Sequence, residues 1–380
     1  MNSPVRAPAA GRSPLGLVAG AVPVLAVLVL ALVWGRDLPV IAEALLVVLL
    51  TGAVLAAVHH AEVVAHRVGE PFGSLILAVA VTVIEVGLII SLMTSGGSSA
   101  ASLARDTVFA AVMITCNGIV GLSLLLSALR NRVAEFNPEG TGAALATVIT
   151  LATLCLVLPA FTTSTPGPEF SGPQLVFAAV ASLALYALFV FVQNVRHRDY
   201  FLPVHAPGER PARTGGGPRA DEEHAPTPSL KSAFISLGLL LAALIGVVGL
   251  AKVESSTIER AVTAAGLPQA VVGVVIALLV LLPETLAAAR NARRGRTQIG
   301  LNLALGSAMA SIGLTIPAIT VASIWLGGPL LLGLGATQIV LLALTAGVGI
   351  LTVMPGRATL LQAAVHLALC AIYLFLAANP

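Results

Sequence analysis

The sequence predicts an all-α polytopic membrane protein, and its composition is the first reason. Of its 380 residues, 57% are apolar and 10% are charged, against about 25% charged in an average soluble domain. The mean hydropathy is +0.99. This composition cannot cover a water-soluble globule of such size with polar surface, which excludes cytosolic enzymes, secreted disulfide scaffolds and nucleic-acid binders. Helices satisfy their own backbone hydrogen bonds inside a bilayer, so helices are the predicted spanning elements.

Segment length is the second reason. Breaks at charged residues and at Pro/Gly clusters leave eleven apolar segments, each near the ~20 residues that cross ~30 Å of bilayer core. Their approximate bounds are 15–34, 39–60, 72–94, 106–129, 142–163, 173–194, 232–251, 267–289, 298–325, 329–353 and 358–378. The first is longer than a usual signal-peptide core and lacks a small-x-small cleavage pattern, so we interpret it as a retained span.

One long polar stretch divides the chain between the sixth and seventh segments. It is rich in Pro, Gly and charge and poor in aliphatic residues, so residues 196–230 are predicted to form a flexible cytoplasmic loop. We interpret its acidic cluster at 221–224 as a solvated linker. The predicted organisation is a tail and first helix over 1–38, one five-helix repeat over 39–195 and a second over 231–380.

The placement of basic residues predicts the orientation. Sixteen of the 20 Lys and Arg residues fall on the side of the N-terminus when the eleven segments alternate across the membrane. The positive-inside rule then predicts a cytoplasmic N-terminus and an extracytoplasmic C-terminus, in a bacterial inner membrane. Five segments precede the loop after the first span and five follow it, so the two halves enter the membrane from opposite sides. This is the requirement for inverted repeats.

Two acidic residues lie deep inside apolar segments, whereas the others lie at segment ends or in loops. Glu85 is in the second span of the first half, and Glu284 is in the second span of the second half. A carboxylate at membrane depth is costly unless it faces a polar cavity or a partner. Inverted repeats bring equivalent positions together near the midplane. Two such carboxylates can hold one cation or can each hold a proton, and mutually exclusive occupancy is what antiport requires.

Polar neighbours fit this interpretation. Thr82 is one turn before the first acid, and Pro283 directly precedes the second, where it frees a backbone carbonyl one turn earlier. Asn117 lies in the third span of the first half, and Ser307 and Ser311 lie in the third span of the second half. These residues are predicted to support the site and to interrupt their helices. Small-residue helix packing explains the glycines and serines there equally well.

A histidine-containing face lies at the cytoplasmic end of the second segment. His59, Glu62 and His66 share one helix face at i, i+3 and i+7, and His60 falls off that face. They are predicted either to form a cytoplasmic vestibule for protons or metal or to be a solvated helix end. The pattern is not H-E-x-x-H, but an intramembrane metal-dependent enzyme built on this face stays the alternative function, and a channel is a further one.

Isolated residues of the apolar segments are given structural interpretations. His366 is predicted to be an isolated packed core histidine. Cys116, Cys155 and Cys370 lack C-x-x-C spacing, and we interpret them as small buried residues without a disulfide or metal.

Two stretches carry a resemblance to a known family. Residues 60–93 (HAEVVAHRVGEPFGSLILAVAVTVIEVGLIISLM) with 105–125 (RDTVFAAVMITCNGIVGLSLL) resemble the first α-repeat of bacterial calcium/proton antiporters of the calcium/cation antiporter superfamily. Residues 281–319 (LLPETLAAARNARRGRTQIGLNLALGSAMASIGLTIPAI) resemble the second. In that family the acid of a Gly-Asn-Ala-x-Glu signature binds cation and proton. The resemblance assigns this role, and metal binding, to Glu85 and Glu284.

The chain departs from the family signature just before each acid. Residues 81–84 and 281–283 replace Gly-Asn-Ala-x, and residues 308–310 replace the polar residues that some relatives have after Gly-Ser. Because side-chain oxygens are fewer than in the calcium-specialised members, the resemblance favours Na⁺ or K⁺ exchange alongside Ca²⁺ exchange.

The sequence therefore predicts a secondary antiporter that exchanges cytoplasmic Ca²⁺, Na⁺ or K⁺ for external H⁺ by alternating access. Its expected partners are inorganic cations, protons and the lipid bilayer, with no nucleic acid and no resident cofactor. Homo-oligomer formation stays open, as do stoichiometry and cation preference.

Overall fold

The computed structural model describes residues 14–36, 38–69, 72–94, 101–203, 228–325 and 328–380. Within these ranges the chain is helical apart from one pair of three-residue strands. The elements in chain order are α1 (Pro14–Val33), α2 (Val40–Val68), α3 (Phe72–Met93), α4 (Leu103–Met113), a π-helical segment (Ile114–Ile119), α5 (Val120–Asn131), β1 (Val133–Glu135), α6 (Pro138–Ala152), short π and 3₁₀ turns (Thr153–Val157, Leu158–Ala160), α7 (Gly172–Phe191), further π and 3₁₀ turns (Val192–Arg196, Arg198–Phe201), α8 (Leu230–Ala264), α9 (Ala270–Val280), α10 (Leu282–Arg293), α11 (Thr297–Gly313), α12 (Thr315–Ala322), α13 (Ala336–Val353), β2 (Arg357–Thr359) and α14 (Leu360–Ala378).

Nine helical stretches among the described residues are long and apolar enough to cross a membrane. They are Val40–Val68, Leu75–Met93, Leu103–Asn131, Pro138–Ala160, Gly172–Arg196, Leu230–Ala264, Thr297–Ala322, Ala336–Val353 and Leu360–Ala378. The bent pair α9–α10 would be a tenth, and the apolar part of α1, Val18–Val33, is shorter. The prediction of an all-α polytopic membrane protein is confirmed. The count of eleven stays a prediction, because it needs both α1 and the bent pair to cross.

Hydrogen bonds between distant segments define one end of the bundle. Strand β1 pairs antiparallel with β2, with Ala134 opposite Ala358. The side chain of Asn302 at the start of α11 donates to the carbonyl of Phe201 at 2.7 Å. We call this the basic end, because it collects most of the described cationic residues. They are Arg67, Arg130, Arg132, Arg196, Arg198, Lys231, Arg290, Arg293, Arg294, Arg296 and Arg357.

Other contacts define the opposite end. Arg105, near the start of α4, donates to the carbonyl of Gly333 at 3.2 Å. Lys252 on α8 donates to the hydroxyl of Thr94, just after α3, at 2.9 Å. Each spanning helix therefore runs between the two ends, and a residue's position along its helix gives its depth in the bundle.

The span made by α4, the π segment and α5 lies at the centre of the protein. About 83% of its most apolar stretch is buried, against 28% for α7, whose outer face is exposed to the surroundings. The π segment Ile114–Ile119 contains the Cys-Asn-Gly sequence at 116–118, so the irregularity predicted there is present. All three cysteines are buried, as predicted.

One glycine permits a close approach between the two halves of the chain. A Cβ atom on Gly273 of α9 would lie 2.8 Å from the backbone nitrogen of Thr107 and 2.9 Å from the carbonyl carbon of Asp106, both on α4. Helices α4 and α9 therefore pack backbone to backbone, a mode of association that small residues allow in membranes.

Helices α2 and α8 are longer than predicted. Helix α2 has 29 residues and α8 has 35, whereas the apolar segments predicted at these positions were 39–60 and 232–251. Both helices continue through charged residues: α2 passes through Glu62 and Arg67 after its predicted end, and α8 continues through Glu254 to Arg260. Arg260 forms a salt bridge at 2.8 Å with Glu43 in the first turn of α2. Apolar length predicts the membrane-embedded part of a helix but not its polar extension.

Part of the predicted loop is structured. Residues Arg198–Phe201 form a 3₁₀ turn that packs on the bundle, where Phe201 is buried and its ring meets that of Phe189 edge to face. The acidic cluster predicted at 221–224 lies outside the described residues, as does the rest of 204–227.

The contacts between helices are paired across the two halves of the chain. Helix α3 packs against α11 and α12, and its counterpart in order, the pair α9–α10, packs against α4 and α5. Likewise α14 packs against α5, and α7 packs against α12. The last helix of each half therefore contacts the third span of the other half.

Candidate functional site

Glu85 lies near the middle of α3 and is 2% exposed. Ser311 on α11 donates a hydrogen bond of 2.9 Å from its Oγ to Glu85 Oε2. The other carboxylate oxygen, Oε1, is buried and has no hydrogen-bond partner among the described residues. Glu85 therefore presents one free oxygen inside the bundle.

Glu284 lies at a break in its span. Helices α9 and α10 meet at Leu281 with a bend of 52°. Pro283 lacks a backbone N–H and sits in the first turn of α10, where a proline is tolerated, so the chain restarts as a new helix at this depth. Glu284 then occupies the first turn of α10, near the positive end of the helix dipole. Its buried Oε2 has no hydrogen-bond partner in the part of the chain that the structure describes.

The two acids, which we call the central pair, face a shared region around α11. Glu284 is close enough to Glu85 for their charged forms to repel each other. Ser311 bonds to Glu85, while Ser307, one turn earlier on α11, lines a cavity together with Glu284. The structure thus brings together the central pair and two of the four predicted supporting residues, Ser307 and Ser311.

The cavity next to Glu284 has a volume of about 230 Å³ and lies between α3, α7 and α11. Its wall includes Val81, one turn before Glu85. Gln193 near the end of α7 and Asn302 near the start of α11 also line it, and both positions are on the side of the basic end. The cavity therefore extends from the depth of the central pair towards the basic end.

The other two predicted supporting residues are Thr82 and Asn117. Thr82 is buried on α3 one turn before Glu85. Asn117 does not contact the central pair: its Nδ2 donates to Thr345 on α13 at 2.9 Å, and its Oδ1 lies 3.2 Å from His366 Nδ1. The π segment turns this amide towards α13 and α14. The interruption predicted over residues 306–313 falls at the end of that stretch: α11 continues through Ser307 and Ser311 to Gly313, and α12 begins at Thr315.

His366 is buried, as predicted, but it is not isolated. Besides Asn117, it contacts Thr352 on α13, with 3.1 Å between Nε2 and Oγ1. This polar network ties α14 to α13 and to the central span. No spacing rule predicts it, because its members are 14 to 249 residues apart in the chain.

The histidine-containing face of α2 is arranged as the helical spacing predicted. His59, Glu62 and His66 are exposed, and His60 is buried, with its Nε2 3.0 Å from the carbonyl of Ala19 on α1. Glu62 is within electrostatic range of Glu284. This face therefore borders the site without contributing a group of three ligands: no set of three or more His, Cys, Asp or Glu side chains in the described ranges could hold a metal ion.

Sequence reasoning missed Thr315, the first residue of α12. It is fully buried near the Glu85 carboxylate, and its hydroxyl makes no hydrogen bond with a described residue. A pattern could have found it, because Ser307, Ser311 and Thr315 follow one another at intervals of four, a spacing that predicts one face of a continuous helix.

A buried carboxylate and a half-buried one at a broken span, both inside a polytopic bundle, form the arrangement expected of a secondary transporter. The sequence profile of the family described as "Sodium/calcium exchanger protein" matches residues 38–195 and again residues 235–379. The chain therefore belongs to the sodium/calcium exchanger family. It is a multi-pass bacterial membrane transporter rather than an enzyme, and the enzyme alternative on the α2 face is not supported.

Two relatives resemble the chain over most of its length. A protein of Sinorhizobium fredii described as "Putative ionic transporter y4hA" is 48% identical over 332 residues, which cover 87% of each chain. The "Sodium-potassium/proton antiporter ChaA" of Escherichia coli is 35% identical over 356 residues, 93% of each chain.

Two solved structures have the same fold. "Structure of native YfkE" aligns with a TM-score of 0.69 at 17% identity, over 96% of this chain and 99% of that one. "Crystal Structure of H+/Ca2+ Exchanger CAX" aligns with a TM-score of 0.64 at 16% identity, over 95% and 91%.

Proposed function

We propose that the protein is an antiporter that moves Ca²⁺, Na⁺ or K⁺ out of the cytoplasm in exchange for external H⁺. The observation that carries this proposal is the central pair, in which Glu85 and Glu284 each direct one unpartnered oxygen into the interior of the bundle. The family membership and the names of the relatives, an antiporter for Na⁺, K⁺ and H⁺ and an exchanger for Ca²⁺ and H⁺, support cation/proton exchange.

The chemistry of the central pair explains coupling. Two ionised carboxylates this deep in the bundle are strongly unfavourable unless something neutralises them. A cation can do so from between them, and protons can do so one at a time, but the two kinds of ligand compete for the same oxygens. The site therefore returns across the membrane with either a cation or protons, and one gradient drives the other.

The cavity supports an inward-facing conformation. It reaches Glu284 from the basic end, and the excess of Lys and Arg at that end supports its location on the cytoplasmic side. Alternating access would then close this cavity and open a path from the opposite end to the same pair. The paired helix contacts and the match of one family profile to both halves support the architecture of one N-terminal helix and two inverted five-helix repeats, eleven spans in all.

The ligands near the central pair suit hard cations. They are carboxylate oxygens and the hydroxyls of Ser307, Ser311 and Thr315, and none of the described residues near the pair is a cysteine or a histidine. Oxygen-only sets bind Na⁺, K⁺ and Ca²⁺ rather than softer metals. We therefore propose that these three cations compete for one site.

The test is transport by everted membrane vesicles that contain the protein and a fluorescent probe of internal acidity. Each cation, added alone as its chloride, is expected to release protons from preacidified vesicles, and a mixture of two is expected to release them no faster than the better one alone. Vesicles without the protein are the control. If none of the cations elicits proton release, the proposal is contradicted. If the release rates for two cations add up in a mixture, a shared site is contradicted.

Replacing Ser311 is expected to weaken cation binding without abolishing transport. Its hydroxyl stabilises the negative charge of Glu85 that a cation needs, and a hydrogen bond to a charged group contributes about 1.5–3 kcal/mol. Ser311→Ala should therefore raise the cation concentration at half-maximal rate by about tenfold or more. The measurement is the same proton-release assay over a range of cation concentrations.

The matched control is Ser232→Ala, which removes an exposed hydroxyl at the start of α8. It should leave the half-maximal concentration unchanged. An unchanged value for Ser311→Ala would mean that this hydroxyl does not support the cation site.

A further inference from the structure

Another buried carboxyl group lies outside the central pair, towards the opposite end of the bundle. Glu254 on α8 has no exposed surface, and neither of its carboxylate oxygens has a hydrogen-bond partner in the described part of the chain. One turn further along the same face, Thr257 donates to Glu43 Oε1 on α2 at 3.0 Å. Arg260 Nη2 donates to the same oxygen at 2.8 Å.

The two glutamates of this group are in unequal environments. Glu43 is compensated by Arg260 and by a hydroxyl, whereas Glu254 is within electrostatic range of both charged neighbours but is bonded to neither. A carboxylate that has lost all contact with water and has no donor is strongly unfavourable when ionised. In this conformation the buried surroundings of Glu254 accommodate it best as the neutral acid.

A proton suits Glu254 better than a metal ion does. Glu43 already has its partners, and within the described ranges no third His, Cys, Asp or Glu joins these two to form a metal-binding set. The other charged groups in this part of α8 are Lys252, which bonds to Thr94, and Glu259, which directly precedes Arg260. The helical residues of α1, α3 and α9 include no ionisable side chain except Glu85.

The position along the bundle relates this group to the central pair. Helices α3 and α8 pack together, and Lys252 meets Thr94, so Glu254 lies near the depth of Thr94. Thr94 follows Glu85 by nine residues, which is about 14 Å along a helix. The cavity next to Glu284 extends towards the other end, so Glu254 lies on the side from which external protons would enter.

We propose that Glu254 is the proton-loading site of the opposite end, taking up an external proton before it reaches Glu85. The proposal rests on the proposed function. Arg260 is within electrostatic range of both glutamates. It can therefore compensate the negative charge of Glu254 after the proton has moved inwards. Once Glu254 is protonated again, Arg260 compensates Glu43. The loading site gains one proton from external water and loses one towards the central pair in each cycle.

The experiment compares two transport modes of the purified full-length chain in liposomes. One is cation/proton exchange at several pH values on the side of the opposite end. The other is exchange of radiolabelled Na⁺ for unlabelled Na⁺, which needs no proton. The variants are Glu254→Gln and Glu254→Leu, and the control is Glu259→Gln, which removes a less buried acid from the same helix.

Both Glu254 variants are expected to slow proton-coupled exchange by about tenfold or more at alkaline external pH. The deficit should shrink as the external pH falls, because abundant protons then reach Glu85 without a loading site. Exchange of Na⁺ for Na⁺ should stay at the wild-type rate, as should both modes in Glu259→Gln.

Three results would overturn the inference. The first is wild-type behaviour of both Glu254 variants. The second is an equal loss of both transport modes, which would indicate a structural role for Glu254. The third is the same pH-dependent deficit in Glu259→Gln. A wild-type protein that exchanges Na⁺ for Na⁺ but never for protons would instead overturn the proposed function, together with the inference built on it.

Discussion

Glu85→Gln and Glu284→Gln are each expected to reduce cation-dependent proton release to the level of vesicles without the protein. Glutamine has nearly the shape of glutamate but can neither neutralise a cation nor bind and release a proton. With one acid left, the site can no longer alternate between a neutralised cation and a fully protonated pair. The measurement is proton release from everted vesicles at equal amounts of protein, determined by immunoblot.

The control for this pair is Glu139→Gln, which removes an exposed acid from the first turn of α6 and should leave transport unchanged. Glu85→Asp is the conservative variant: it keeps the charge but shortens the reach to Ser311, so partial transport is expected. Normal exchange in either glutamine variant would show that the central pair is not the transport site.

Gly273→Leu is expected to unfold the protein at a lower temperature and to abolish transport. Its side chain would press on the backbone of Thr107 and Asp106, which no change of rotamer can relieve, so α4 and α9 must separate. Overpacking of this kind costs about 1–3 kcal/mol, occasionally more. Because α9 leads directly into the break before Glu284, the separation also displaces the site. The measurement is the midpoint of thermal unfolding in detergent, followed by size-exclusion chromatography.

The matched control is Gly347→Leu on α13, where no atom lies within 4 Å of an added Cβ. This variant adds the same side chain to a helix and should keep both the unfolding midpoint and transport. A Gly273→Leu protein as stable and active as the control would mean that the α4–α9 contact is not close in the folded protein.

The sequence predicted the fold class and the candidate acids for physical reasons. Burial in lipid demands long apolar helices, which are visible as hydropathy, and a carboxylate inside such a helix stands out against its neighbours. The proline before Glu284 also indicated a broken span. Each of these features is recognised from residues that are neighbours in the chain, so it can be predicted without knowing which helices pack together.

Features that depend on distant contacts could not be predicted in the same way. The direction of Asn117 follows from the turn of the π segment towards Thr345 and His366, and neither partner is near it in sequence. The pairing of Glu43 with Arg260 depends on how α2 and α8 cross. Helical periodicity gives the face of one helix but not the helix that it will meet.

The pairing of β1 with β2 limits how the protein can move. Three residues after α5 are hydrogen-bonded to three before α14, and the backbone nitrogen of Phe136 also donates to Gly356 at 3.0 Å. This strand pair joins the two halves of the chain at the basic end. The halves therefore cannot separate there as two rigid bodies while the strand pair is intact. For the proposed antiporter we therefore expect alternating access to come from helices that slide or tilt while β1 and β2 stay paired.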